Sequence, residues 1–116
     1  MITLSLPVDV YLCTLPTDMR KSFDGLLRMA EEYLQQNVLQ GGLFVFVNRR
    51  RDRVKLLYWD NDGLAIWYKR LEAGTFEIPQ AEGAAHVALS AAELAMLLGE
   101  VELSSARKRK RFQLSR

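Results

Sequence analysis

One cysteine and one histidine are too few for much of protein chemistry. Cys13 has no partner for an internal disulfide, and with His86 as the single imidazole the chain cannot assemble a soft-ligand zinc cluster by itself. Long apolar runs are missing too: no strictly apolar stretch exceeds five residues, 43–47 being one of them, which excludes a membrane-spanning helix. Residues 1–7 have neither the basic start nor the apolar stretch of a signal peptide, so a cytoplasmic, nucleoid-associated location is expected. No glycine-rich phosphate loop follows any strand pattern. Acidic residues stop at Glu102.

What is present is a chain of 116 residues, 49% of them apolar, enough for one hydrophobic core. A single α+β domain over 1–103 is expected, followed by a basic, disordered tail over 104–116 whose large apolar residues are only Phe112 and Leu114. That tail holds six of the sixteen basic residues, so the remaining ten stand against all fourteen acids and the body carries −4. Within the body the sign reverses over 49–70, where seven basic residues meet Asp52, Asp60 and Asp62 for a local +4. Two basic zones on an acidic chain point to a polyanionic partner.

A short strand at 8–12 is closed by a turn around Pro16. Phe23, Leu26, Leu27, Ala30, Tyr33 and Leu34 then recur at helical spacing, and Gly41-Gly42 is expected to stop that helix. Segments 43–48, 53–59 and 64–71 are rich in aromatic and β-branched residues, the pattern of an antiparallel meander. A fourth strand is expected near 75–78 and a loose surface segment over 80–88. The 60–63 link reads as a turn with Gly63 left-handed, a register that sets Asp60 opposite Leu64, Trp59 opposite Ala65, Leu57 opposite Trp67 and Lys55 opposite Lys69. Ser90 and Glu93 form a capping box, Leu89 and Leu94 have the spacing of a hydrophobic staple, and Gly99 ends this last helix. The predicted architecture is an α+β fold with a meander of three to five strands packed on an N-terminal helix.

Catalytic groups are sparse. Cys13 with His86 is a conceivable thiol and imidazole pair, but an isolated cysteine in a strand reads more simply as core, and His86 as solvated. Asp60 and Asp62 could hold a cation, yet in a turn such side chains bond their own backbone. The chain therefore reads as non-catalytic, without a cofactor. In the expected register Trp59, Trp67, Lys55 and Lys69 share one face, a surface on which unpaired bases could stack beside neutralised phosphates; the plainer alternative makes both hairpin faces core.

The run Pro16-Thr17-Asp18-Met19-Arg20-Lys21-Ser22-Phe23-Asp24-Gly25-Leu26, with Leu43-Phe44-Val45-Phe46, Asn48-Arg49-Arg50-Arg51-Asp52-Arg53-Val54-Lys55, Leu57-Tyr58-Trp59-Asp60 and Trp67-Tyr68-Lys69-Arg70-Leu71-Glu72, resembles the TnpB or Orf-two-like accessory protein of the insertion-sequence sixty-six group of bacterial transposable elements. That family is unrelated to the RNA-guided nucleases sharing the TnpB name. The resemblance implies a role in DNA transposition beside a separate transposase, and brings no catalytic residues with it. The expected nucleic-acid-binding residues are Arg49, Arg50, Arg51, Arg53, Lys55, Trp67, Lys69 and Arg70, with Arg107, Lys108, Arg109, Lys110 and Arg111 of the tail. Expected partners are DNA, at element ends or non-specifically, and the transposase, with self-association left open. The rival expectation is a module that docks on the transposase without touching DNA.

Overall fold

The computed structural model describes residues 9–79 and 83–99. Strand β1 (Val10–Cys13) leads through helix α1 (Phe23–Tyr33) and a short 3-10 turn (Val38–Gln40) into β2 (Leu43–Val47). Strands β3 (Arg53–Asp60) and β4 (Gly63–Arg70) follow, then β5 (His86–Leu89) and helix α2 (Ala91–Leu98). They form one five-stranded sheet in the order β4-β3-β2-β1-β5. An antiparallel sheet throughout is not what forms. β1 runs parallel to β2, with Val10 beside Leu43, because a helix lies between them and returns the chain to the same end. The other pairings are antiparallel, β5 on β1, β2 on β3 and β3 on β4.

The fifth strand is also not where the sequence placed it. Residues 75–78 form no strand; instead Phe76 enters the core and its backbone N–H bonds the Arg51 carbonyl at 2.6 Å. The strand forms over His86–Leu89, most of it within the segment expected to be loose. His86, pairing with Cys13, is half-buried with its ring edge-on to Tyr11. Helix α1 stops at Tyr33, well before Gly41, as Leu34 closes it and Gln35 takes a φ of +53°. The two glycines serve the next bend: both have positive φ, and a Cβ on Gly42 would come within 3.1 Å of the Phe44 ring.

Each sheet face carries its own core. Val10, Leu12, Val45, Val54 and Leu56 pack with Leu94, Leu97 and Leu98 of α2, joined by Phe76. Cys13, Phe44, Phe46 and Leu57 pack with Leu26, Met29 and Ala30 of α1 and with Leu34 and Val38 after it. The pattern of burial explains the all-apolar β2, whose five residues are buried from both sides. The capping box of α2 is formed, with Glu93 N–H donating to Ser90 Oγ at 3.0 Å and Ser90 N–H to Glu93 Oε1 at 2.8 Å. Gly99 closes that helix in the left-handed conformation.

The β3–β4 register differs from expectation by one residue. Asp60 pairs with Gly63, Trp59 with Leu64, Leu57 with Ile66, Lys55 with Tyr68 and Arg53 with Arg70. The link is the residue pair Asn61 and Asp62, and Asn61, not Gly63, supplies the positive φ, +61°. Side chains alternate along a strand, so this slip moves every β4 residue to the opposite face.

Candidate nucleic-acid interface

The β2–β3 connection is built on Asn48. Its Oδ1 accepts from the backbone N–H groups of Asp52 at 3.0 Å and Arg53 at 2.9 Å, and its Nδ2 donates to Asp52 Oδ1 at 2.6 Å. The Asn48 carbonyl accepts from Arg51 N–H at 3.0 Å, and Arg51 sits at a φ of +60°. Segment 71–76 clamps the loop from outside, through Leu71 N–H to the Asp52 carbonyl at 2.7 Å and Phe76 N–H to that of Arg51. Since Phe76 is buried, the clamp is anchored in the core. The loop that results presents Arg49, Arg50 and Arg51 to solvent.

A second wall comes from the segment after β1. Thr17 N–H donates to the Val47 carbonyl at 2.9 Å, bringing residues 17–20 alongside the arginine loop. Arg20 and Asp18 form an ion pair at 2.6 Å, and this guanidinium holds the Asp18 carboxyl down to about 2. Between the two walls lies an open groove of about 450 Å³, lined among others by Arg20, Arg49, Arg50, Arg53, Asn48 and Tyr68.

Of the residues expected to bind nucleic acid, Arg49, Arg50 and Arg53 meet at this groove, and Arg51 shares their loop. Arg70 stands opposite Arg53, its guanidinium on Glu72 at 2.7 Å. Lys55 is not on a working surface. It is 8% exposed, and its ammonium donates to the Met19 and Lys21 carbonyls, each at 2.8 Å, under the Tyr68 ring at 4.7 Å. Trp67 and Lys69 lie on the α2 side of the sheet: Trp67 packs against the core there, and Lys69 Nζ donates to the Leu98 carbonyl at 3.0 Å. The opposed lysines and the tryptophan platform are therefore corrected by the register, since Lys55 faces Tyr68 and Lys69 faces Val54. Residues 107–111 lie outside the described residues. Sequence reasoning missed Arg20 and Tyr68: the first lies in the 16–26 run that carried the resemblance and was given no role, the second was assigned to the wrong face.

Among the described residues no group of three or more histidine, cysteine, aspartate or glutamate side chains could hold a metal, and no helix is long and apolar enough to cross a membrane. Fold and site together define a mixed-sheet α+β domain whose two arginine-bearing segments, 17–20 and 48–53, meet in one cationic groove. The chain matches the family described as IS66 Orf2-like protein over residues 8–108, and it belongs to that family, which carries an accessory role in transposition and is not a known enzyme class. It is similar to the uncharacterized protein y4hO of Sinorhizobium fredii, 40% identical over 95 residues that make up 82% of each chain. The uncharacterized protein y4jC of the same organism is 30% identical over 110 residues, 94% of this chain and 92% of that one. No solved structure matches the chain.

Proposed function

We propose that the protein is a non-catalytic accessory factor of transposition that holds DNA through its phosphates, using Arg49, Arg50, Arg51 and Arg53 with the basic residues Arg107, Lys108, Arg109, Lys110 and Arg111. The observation that carries this reading is the preformed loop. Among the described residues none of its arginines, nor Arg53, is in an ion pair, so their charge is available to a polyanion. Phosphate contacts of this type release counterions and make affinity fall steeply with salt. The test is binding of the full-length protein to a duplex across a salt series; affinity that does not respond to salt overturns the reading.

Docking on the transposase without DNA is the second reading. It is favoured by Trp59, 39% exposed at the end of β3, and by exposed Leu39, whose turn packs against the same strand. Under it, charge reversal in the arginine loop leaves transposase binding unchanged while Trp59→Ala weakens it.

A further inference from the structure

Arginine 53 holds the single buried side-chain nitrogen or oxygen that lacks a hydrogen-bond partner among the described residues, its Nε. A buried donor without an acceptor is costly, more so on a charged group. Its neighbour across the sheet, Arg70, adds like charge but is met by Glu72; Arg53 has no such carboxylate among the described residues. The groove that Arg53 lines contains two aspartates, and both are engaged, Asp18 with Arg20 and Asp52 with Asn48. Four arginines against those two acids leave the groove cationic.

Tyr68 lines the same groove. The residue is 49% exposed, and its ring lies against the Lys55 ammonium, itself fixed to two backbone carbonyls. An aromatic ring beside guanidinium groups has the two elements of single-strand recognition, a platform for a base and a partner for its phosphate. The volume, about 450 Å³, is in the range of small-molecule sites and admits one nucleotide. Paired bases in a duplex are stacked on their neighbours and do not reach such a ring.

We propose that the groove takes one nucleotide of a single DNA strand, its phosphate on Arg53, Arg49 and Arg50 and its base stacked on Tyr68. The inference rests on the reading that the arginine loop meets DNA and adds a preference for unpaired strands. The sheet register sets Tyr68 opposite Lys55, with Arg53 two residues along on the same face, and both Tyr68 and Arg53 line the groove.

The test uses the full-length protein and three probes: a twelve-nucleotide oligothymidylate, an abasic strand of the same length, and a duplex of the same length. Wild-type protein is expected to bind oligothymidylate at least fivefold more tightly than the abasic strand. Tyr68→Ala weakens oligothymidylate binding by about 5- to 100-fold, with little change for the abasic strand or the duplex, and Tyr68→Phe retains binding. Equal wild-type affinity for the base-bearing and abasic strands overturns the inference, without needing any variant to fold. If that equality is found while the duplex binds in a salt-dependent way, only the nucleotide site fails; if none of the three probes binds, the DNA reading fails with it.

Discussion

Lys55 separates what a residue type implies from what its position makes of it. In a basic stretch it reads as a phosphate ligand, yet its ammonium ties residues 19 and 21 to the sheet and so holds one wall of the groove. Hydrogen bonds to a charged group are worth about 1.5 to 3 kcal/mol each, so losing both in Lys55→Met is expected to lower stability by about 3 to 6 kcal/mol in urea unfolding. A DNA-binding role alone would leave stability unchanged. Cys13 illustrates the same point for a reactive group: buried in the α1 core, its thiol is pushed above the ordinary range chiefly by desolvation. The thiolate is the nucleophile, so at pH 7 the native protein should resist alkylation and become labelled only on unfolding. Rapid labelling of folded protein would contradict that burial.

At the scale of elements, the one-residue slip of β4 reverses an expected sign. Two opposed lysines would make Lys69→Glu harmless or stabilising. The observed Lys69 instead places its ammonium on the last carbonyl of α2, where a cation complements the helix dipole. Lys69→Glu is therefore expected to destabilise by about 1 kcal/mol, read from thermal melting. Two features of the turn were legible, its position and its polar residues; which one adopts positive φ was not, because asparagine as well as glycine tolerates that conformation. The capping box of α2 was fully legible, since it depends on residues three apart in sequence. β5 was not, because four residues with two half-buried carry little periodicity and depend on β1 for their place. The end of α1 escaped for a related reason, a left-handed Gln35 where no glycine marks the stop.

That capping box also has a pH dependence. Bonds from the Ser90 backbone and hydroxyl hold Glu93 below the ordinary glutamate range. A carboxyl whose folded-state value is depressed contributes stability above its unfolded value and loses it as pH falls through the folded one. The acid limb of a stability profile should therefore contain a component that disappears in Glu93→Gln, with neutral-pH structure retained.

For the whole molecule, the groove depends on two motifs separated by about thirty residues of sequence, 17–20 and 48–53, which the parallel pairing of β1 and β2 brings together with the Thr17–Val47 and Lys55 hydrogen bonds. Each motif was visible singly; their adjacency was not, since nothing local encodes a long-range strand pairing. On the proposed DNA reading, replacing Arg49, Arg50 and Arg51 with alanine should reduce the log-log salt slope of duplex binding by roughly 2 to 3, and deleting residues 108–116 by roughly 3 to 4. Melting temperature should hold in the loop variant, because the loop arginines are exposed. An unchanged slope in the loop variant would remove the arginines from the interface.

The position of β1 has a consequence for how the chain reaches its native state. The first strand is flanked by β2 on one side and β5 on the other, and Cys13 pairs with His86, more than seventy residues later. During synthesis β1 through β4 can assemble while β5 is still unmade, leaving β1 as an unprotected edge with free backbone donors and acceptors. Closure of that edge is a pairing of high sequence separation, of the kind that slows folding. Chains halted before Leu89 therefore present an open strand to one another, and β5, made long after β1, is the strand that protects it.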